Sequence, residues 1–171
     1  MSARSIRAAS DDDRAAIWRI LEPTIRAGET YALPRDMTRD AALAWWHAPS
    51  HETYVAIDGG VVGTYYVRPN QLGGGAHVAN CGYVTAPHAS GRGVGRAMCE
   101  HSLARAGARG FRAMQFNFVV SSNTRAVRLW QSCGFEIVGR LPAAFRHPTA
   151  GLVDALVMVR PLTEAAPVTA S

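Results

Sequence analysis

Cysteine is scarce in this chain, and no long hydrophobic run is present. The three cysteines, Cys81, Cys99 and Cys133, are widely separated among 171 residues, which excludes a disulfide framework and a cysteine-rich zinc site. No apolar stretch approaches the roughly 20 residues of a membrane-spanning helix, and the first ten residues lack the apolar core of a signal peptide. We therefore expect a cytoplasmic protein with no metal and no membrane partner.

Acidic residues are fewer than basic ones. The chain has 18 Lys and Arg against 13 Asp and Glu, a formal net charge of +5, and this balance favours an anionic partner. Basic runs with interleaved aromatic residues are absent from the sequence, as are the known nucleic-acid recognition motifs. The charge alone does not distinguish among a nucleic acid, a membrane surface and a small phosphate compound, but without such motifs we expect no nucleic-acid partner.

Apolar periodicity and turn residues predict an α/β chain. Helices are expected over 10–28, 38–47, 95–109 and 123–133. Strands are expected over 5–8, 52–57, 61–68, 77–85, 113–120, 136–141 and 152–159, with a loop over 146–151. No linker or internal repeat divides the chain, so we expect one domain over residues 1–162 and a flexible tail over 163–171.

A glycine-rich turn precedes the third predicted helix and has the sequence Gly91-Arg92-Gly93-Val94-Gly95. Glycines allow backbone N–H groups to approach an anion at a helix N-terminus, where unpaired donors and the helix dipole favour negative charge. The dinucleotide-binding pattern G-x-G-x-x-G fails because its third glycine falls on Arg96, and no P-loop Gly-Lys-Ser/Thr is present. The turn predicts another kind of phosphate site, or a plain turn without a ligand.

Two sequence blocks carry a resemblance to a known family. Residues 84–98 read VTAPHASGRGVGRAM, and residues 123–135 follow the pattern Asn123-x-x-Ala126-x-x-Leu129-Trp130-x-x-x-Gly134-Phe135. In this order they resemble the two signature blocks of the GNAT superfamily of acyl-CoA-dependent N-acyltransferases. The resemblance implies an α/β fold with a mixed, splayed central β-sheet flanked by helices. It also implies acetyl-CoA as cosubstrate, bound between the fourth and fifth strands, and a homodimer as a common assembly.

The resemblance assigns two parts of an acetyl-CoA site. Backbone groups of Tyr83 and Thr85 would pair with the pantetheine arm, and the Tyr83 N–H would polarise the thioester carbonyl. The N–H groups from Arg92 to Arg96 would hold the pyrophosphate. The implied coenzyme-binding residues are Tyr83, Val84, Thr85, Gly91, Arg92, Gly93, Val94, Gly95, Arg96, Asn123 and Trp130.

Two positions depart from the family pattern. Ser90 stands where an Arg or Gln usually opens the pyrophosphate motif, and Trp130 replaces the Tyr that often protonates the leaving thiolate. An indole N–H cannot act as an acid at neutral pH, and Trp130 continues an apolar stripe with Ala126, Leu129 and Cys133 that is typical of a packed helix face. The two departures leave open a protein that senses acyl-CoA without turnover.

Three asparagines predict a polar pocket. Asn80 and Asn117 lie inside predicted apolar strands, where asparagine is disfavoured, and Asn123 begins the last predicted helix. On neighbouring strands, the first two would meet where the sheet opens. The alternative is structural: Asn123 is a helix N-cap, and Asn80 and Asn117 bond to unpaired backbone groups.

The asparagines also support a narrower resemblance, to the microbial acetyltransferases that detoxify azetidine-2-carboxylate and related proline analogues. The matching segments are Asn80-x-x-Tyr83, Ser122-Asn123 and the run QFNFVV at 115–120. This resemblance implies that Asn80 binds the substrate carboxylate together with the N–H groups of Asn117 and Phe118. It also implies that the Asn123 amide donates to the thioester sulfur.

The predicted function is the transfer of an acetyl group to the amine of a small amino acid or toxic analogue, by direct attack within a ternary complex. Glu29 is the candidate base, in the irregular segment where the resembled fold builds its acceptor wall. The rival acceptor is a phosphinothricin-type compound or methionine derivative, because residues 6–11 and Gly28-Glu29-Thr30 resemble that branch. Further candidates are a nucleophilic Cys81 and proton relays at His77 or His88.

Overall fold

The computed structural model describes residues 4–162, and the tail predicted over 163–171 lies outside the described residues. Within residues 4–162 the helices are α1 (Arg14–Ala27), α2 (Arg39–Trp46), α3 (Val94–Ala108) and α4 (Thr124–Ser132). The strands are β1 (Ser5–Ala8), β2 (Glu52–Ile57), β3 (Val61–Pro69), β4 (Val78–Thr85), β5 (Ala113–Val120), β6 (Glu136–His147) and β7 (Gly151–Pro161). Short 3₁₀ turns occupy Asp11–Asp13, Gly73–Gly75 and Pro87–Ala89.

The strands form one mixed sheet in the order β1-β2-β3-β4-β5-β7-β6. Its β4–β5 pair is parallel and its other neighbouring pairs are antiparallel. Successive residues of a strand face opposite sides of a sheet. Tyr66 of β3 therefore packs against Trp46 of α2, whereas Tyr65 bonds to His101 of α3 on the other side. Helices thus cover both faces, which confirms the predicted α/β architecture.

The first helix follows from its apolar spacing. One stripe of α1 is buried, and its residues are Ile17, Ile20, Leu21 and Ile25. The helix ends at Gly28, which has a φ of +64°. A Cβ atom on Gly28 would lie 2.7 Å from Cδ of Arg35, so both the backbone and the space favour glycine there.

The strands β4 and β5 are paired over only two positions. Val78 is aligned with Ala113 and Ala79 with Met114, and among the described residues the pairing goes no further. Just beyond the last pair, Asn80 Nδ2 donates to the Gln115 carbonyl oxygen at 2.9 Å. After this contact the strands separate, which is the predicted splay of the central sheet, and a gap opens between them.

The end of the sheet differs from the prediction. The strand expected over 136–141 continues to His147, and the loop expected over 146–151 shrinks to a turn between His147 and Gly151. Pro142 argues against a strand interior in the sequence. However, β6 is an edge strand with an irregularity between Leu141 and Phe145, and a bulge on an edge accommodates proline.

Candidate active site

The edge of β4 that faces the gap has backbone groups without a strand partner. The Ala86 N–H donates to the Val62 carbonyl of β3 at 2.8 Å. Because backbone groups alternate along a strand, Tyr83 and Thr85 direct theirs away from β3. The diverging β5 does not pair with them, so these groups face the gap where the sequence predicts the pantetheine arm.

A cleft of about 750 Å³ fills the gap, with walls from β4, β5, the starts of α3 and α4, and the irregular segment 30–33. It brings together most of the residues predicted for a site, although they come from distant parts of the chain. The predicted residues that line it are Asn80, Tyr83, Val84, Thr85, Gly91, Gly93, Val94, Gly95, Arg96, Asn117, Phe118, Asn123 and Trp130. The predicted residues Arg92 and Glu29 are not part of the lining.

The glycine turn lies at one end of the cleft and leads directly into α3. Gly91 and Gly93 have φ values of +82° and +81°, which a side chain would make unfavourable. A Cβ atom on Gly95 would lie 3.1 Å from Leu129 Cδ2 and would narrow the space between α3 and α4. The first N–H groups of a helix have no partner within it. This cradle fits the pyrophosphate of acetyl-CoA.

Arg125 is a cation at this end that the sequence interpretation missed. Its Nη1 donates to Ser90 Oγ at 2.7 Å, and its Nη2 lies 3.4 Å from the position of a Cβ atom on Gly91. The guanidinium therefore stands beside the position where the resembled family has Arg or Gln. Arg125 lies within the second sequence block. No local sequence pattern, however, indicated that α4 places this residue against the glycine turn.

The two arginines of the glycine turn diverge. Arg96 lines the cleft and donates to Ser132 Oγ at 2.7 Å. Arg92, in contrast, donates to Asp58 Oδ2 at 2.8 Å, so its charge is directed toward the β2–β3 turn. The family resemblance implies that Arg92 is a coenzyme-binding residue, but this contact directs its guanidinium away from the cleft. Its backbone is also bonded elsewhere, because the Arg92 N–H donates to the Ala89 carbonyl at 3.3 Å and the Arg92 carbonyl accepts from Arg4 at 2.8 Å.

Asn123 is both an N-cap and part of the cleft. Its Oδ1 accepts the Ala126 N–H of α4 at 3.3 Å, which leaves the NH₂ group as the donor available to the cleft. Trp130 lies about two helical turns further along α4. Its ring packs on that of Tyr83, with centroids 4.9 Å apart, and on that of Phe116, with centroids 5.1 Å apart. The tryptophan therefore fills the wall between β4, β5 and α4.

The Tyr83 side chain points away from the gap. Its hydroxyl shares a hydrogen bond of 2.7 Å with Ser102 Oγ of α3, and burial raises the pKa of the phenol well above its ordinary value. The contribution of Tyr83 to the gap is therefore its backbone. Tyr31 reaches this backbone from the segment after α1, because its hydroxyl donates to the Tyr83 carbonyl at 3.0 Å. No local sequence pattern indicated that contact.

A row of amides lies where β4 and β5 separate. Asn80 Nδ2 donates to the Gln115 carbonyl, Gln115 Nε2 donates to Asn117 Oδ1 at 2.9 Å, and Asn117 Nδ2 donates to Asn70 Oδ1 at 2.7 Å. The structure thus places Asn80 and Asn117 together, as predicted, and adds Gln115 and Asn70. The Asn117 amide bonds within the row, so its backbone is the part left for a ligand.

The backbone of β5 is irregular at this point. Phe116 is aligned with Met158 of β7, but the next aligned pair is Val119 with Leu156. Asn117 and Phe118 therefore share the single partner position between them, as in a β-bulge. Such a bulge leaves ladder groups unpaired, and it lies where the sequence predicts two N–H donors for the acceptor.

The remaining candidates lie outside the cleft or are chemically inactive. Glu29 is exposed, although its neighbour Tyr31 lines the cleft. His77 and His88 are also exposed and are not part of the lining. Cys81 lines the cleft, but burial raises the pKa of its thiol to about 12, which keeps it protonated at neutral pH.

Two kinds of feature are absent from residues 4–162. No helix in this range combines the length and the apolar character of a membrane span. No three His, Cys, Asp or Glu side chains in the same range are grouped so that they could hold a metal ion.

Comparisons with known proteins agree with this geometry. The sequence profile of the acetyltransferase (GNAT) family matches residues 14–135. N-acetyltransferase aca1 from Schizosaccharomyces pombe is 29% identical over 152 residues, 78% of this chain and 72% of that protein. A GCN5-related N-acetyltransferase from Kribbella flavida has 47% identity and a TM-score of 0.89, over 93% of this chain and 98% of that one.

A phosphinothricin acetyltransferase from Sinorhizobium meliloti, solved in complex with AcCoA, shares the fold with a TM-score of 0.84 at 22% identity, over 99% of this chain and 94% of that one. The family profile covers most of the chain, and the cleft has the splayed strands and the glycine cradle that the family resemblance implied. The chain therefore belongs to the acetyltransferase (GNAT) family and is an acetyl-CoA-dependent N-acetyltransferase.

Proposed function

We propose that this enzyme acetylates the amine of a small amino acid or of a toxic analogue of the azetidine-2-carboxylate type. The observation that supports the proposal is the amide row beside the open backbone of β4. Asn80 is 6% exposed and lines the cleft at the fork of the sheet. A buried amide with a face on a cleft selects polar, hydrogen-bonding ligands, because leaving it unpaired is costly.

Two donors of the chain match the chemistry of acetyl transfer. When bound, acetyl-CoA supplies an activated acetyl group as a thioester. The Tyr83 N–H faces the gap and would donate to the thioester carbonyl, which favours attack by an amine. The Asn123 NH₂ would donate to the sulfur as it gains charge. Asn123 thereby takes over part of the role that a tyrosine at the position of Trp130 has in the resembled family.

The cysteine of the cleft supports direct attack in a ternary complex. Within residues 4–162, Cys81 is the only cysteine of the lining. A pKa of about 12 leaves only about one thiolate in 10⁵ at pH 7. An acyl-carrying thiol is therefore inconsistent with this environment, and the acceptor amine itself is the nucleophile.

The amine must lose its proton without help from a carboxylate or imidazole of the lining. Among the described residues that line the cleft there is no Asp, Glu or His. For an amine with a pKa near that of lysine, deprotonation at pH 7 costs about 4.6 kcal/mol. We expect the proton to pass to water, so kcat/KM for the acceptor rises with pH until the pKa of the acceptor is reached.

The test is an acceptor screen that follows release of the CoA thiol. The sequence contains 18 arginines and no lysine, so acetylation of its own lysines adds no background. The screen uses amino acids and cyclic analogues, with wild type, Asn80→Ala and a control variant, Gln131→Ala, at an exposed position of α4. Asn80→Ala is expected to raise the acceptor KM about tenfold and to leave the acetyl-CoA KM unchanged. An unchanged acceptor KM would contradict the narrower assignment.

The phosphinothricin-type acceptor has one observation in its favour, because Thr30 of the segment Gly28-Glu29-Thr30 lines the cleft. The two candidates differ in the amine. Preferential turnover of a cyclic secondary amine supports the azetidine-2-carboxylate type, whereas preference for a primary α-amine supports the phosphinothricin type.

A further inference from the structure

Arg68 is a cationic side chain of the cleft that the chemistry above does not use. It lies near the end of β3 and is aligned with Asn80 of β4. Aligned residues of neighbouring strands place their side chains on the same face of the sheet. Tyr66, two residues earlier on that face, contacts Trp45 of α2. Arg68 and Asn80 therefore stand side by side at the fork, on the side of the sheet that α2 covers.

The charge of Arg68 has no acidic partner in the described part of the chain. Within residues 4–162, Arg68 takes part in none of the ion pairs, and no Asp or Glu lines the cleft. The other two arginines of the lining, Arg96 and Arg125, bond to serine hydroxyls near the glycine turn. A cation in a partly enclosed site without a counter-ion favours the binding of an anion.

The neighbouring tyrosine does not supply that anion. Burial raises the pKa of Tyr66 to about 12, and the nearby Arg68 guanidinium opposes part of this effect. The Tyr66 hydroxyl is therefore neutral at physiological pH. Its ring also covers the backbone of β4, because a Cβ atom on Gly82 would lie 2.7 Å from Tyr66 Cε1. Arg68 thus faces the cleft beside a neutral aromatic wall.

The position of Arg68 separates it from the phosphate end of the cleft. Asn80, its aligned partner, precedes Thr85 by five residues, or about 17 Å along an extended strand. Thr85 lies close to the glycine turn, since it is 3.9 Å from the position of a Cβ atom on Gly95. An anion at Arg68 therefore belongs to the acceptor and not to the pyrophosphate.

We propose that Arg68 binds the carboxylate of the acceptor and makes the enzyme selective for amines that carry an acidic group. This inference rests on the proposed function and identifies the residue that selects the class of acceptor. A carboxylate offers two oxygens to the guanidinium fork, and such bonds are stronger than those of a neutral amide. Asn80 already donates one N–H to Gln115, so at most one remains for the same carboxylate. Arg68 supplies the charge, and Asn80 adds a single hydrogen bond.

The residues around Arg68 indicate the size and polarity of the rest of the acceptor molecule. The lining on this side of the cleft is apolar or aromatic, and its residues are Tyr31, Leu33, Trp45 and Tyr66. Such a wall accommodates a small hydrocarbon skeleton but offers no second cation. The acceptor class is therefore a monocarboxylic amino acid with a compact apolar body.

The experiment compares acceptors that differ only at the carboxylate. Azetidine-2-carboxylate and proline are each assayed beside their carboxamides, together with the best primary amino acid of the screen and its carboxamide. Wild type, Arg68→Gln, Arg68→Lys and the control Arg19→Gln, at an exposed position of α1, are assayed by CoA release. Wild type is expected to prefer the acid over the carboxamide at least tenfold in kcat/KM.

Arg68→Gln is expected to remove that preference by raising the KM of the acid at least tenfold, with the carboxamide and acetyl-CoA KM values within twofold of wild type. Arg68→Lys should recover part of the preference, because the charge remains but the fork is lost. If wild type uses the acid and the carboxamide equally well, the role of Arg68 is overturned while amine acetylation still stands. This comparison uses wild type alone, so it does not depend on whether a variant folds. No CoA release by wild type from any acceptor overturns the proposed function itself.

Discussion

In the proposed function, the two ends of the cleft would hold their ligands by different means. The coenzyme half, formed by the glycine turn with Arg96 and Arg125, presents backbone N–H groups at the start of α3 together with two cations. The acceptor half, formed by Arg68, Asn80 and Asn117 with the wall of Tyr31, Trp45 and Tyr66, presents side chains from five separate segments. The backbone cradle of the coenzyme half is a contiguous stretch of chain, to which folding adds Arg125 from α4, whereas the acceptor half exists only after folding.

The difference explains why a sequence pattern indicates the donor acetyl-CoA but not the acceptor. A backbone cradle requires glycines at particular conformations, and these leave a readable local pattern. A side-chain pocket requires only that suitable groups meet, and many sequences satisfy that condition. Residues of the coenzyme half should control the KM for acetyl-CoA, and residues of the acceptor half should control the KM for the acceptor.

The largest effect is expected at Asn123, which lies where the two halves meet. Asn123→Ala removes both the cap and the NH₂ donor, so we expect kcat to fall about 100-fold and the protein to lose about 1 kcal/mol of stability. Asn123→Asp keeps a capping oxygen and lacks the donor. It should therefore retain the melting temperature while kcat falls to a similar extent. A normal kcat for Asn123→Asp would show that the Asn123 amide does not take part in acetyl transfer and serves only as a helix cap.

The next effect is expected in the coenzyme half. Arg125→Ala removes the guanidinium beside Ser90 and Gly91, so the KM for acetyl-CoA should rise about tenfold, the size of one charged hydrogen bond. The acceptor KM should stay within twofold. Arg92→Ala is the matched control, because Arg92 bonds to Asp58 outside the cleft. Equal effects of the two substitutions on acetyl-CoA would show that overall charge and not position determines binding.

A smaller effect is expected from Gly82→Ala in the acceptor half. The new methyl group would push the Tyr66 ring, so the acceptor KM should rise about fivefold and stability should fall by about 1 kcal/mol. The KM for acetyl-CoA should change little. Gly107→Ala in α3, where no atom lies within 4 Å of the new Cβ, is the control and should stabilise the helix slightly. A change in the acetyl-CoA KM alone would contradict the assignment of Tyr66 to the acceptor half.

A kinetic effect of similar size, from a single hydrogen bond, is expected from Tyr31→Phe. This change removes one hydrogen bond, from the Tyr31 hydroxyl to the Tyr83 carbonyl, worth about 1 kcal/mol. Because that carbonyl borders the reacting groups, kcat should fall about fivefold. Tyr54→Phe is the control, since it removes the bond to Glu52 at a residue outside the cleft lining. Similar kcat values for both variants would make the Tyr31 contact purely structural.

Sequence patterns predicted the elements well where the signal was local. The buried stripe of α1, the cap at Asn123 and the turn at Gly91 follow from spacing and residue type. The prediction was wrong for the second half of β6, where Pro142 lies in an irregular stretch of an edge strand. An edge position is a property of the whole sheet, so no local pattern could reveal that proline is tolerated there.

The sequence by itself determined the fold class, the glycine cradle and the family, because these depend on periodicity and on residues close together in the chain. Only the tertiary structure decided that Arg125 stands at Ser90, that Arg92 turns to Asp58, and that Glu29 stays outside the cleft. It also decided that Arg68 meets Asn80 and that, among residues 4–162, no acidic side chain pairs with Arg68. Side-chain charges act over a few ångströms in space, and those distances are set when the strands and helices pack.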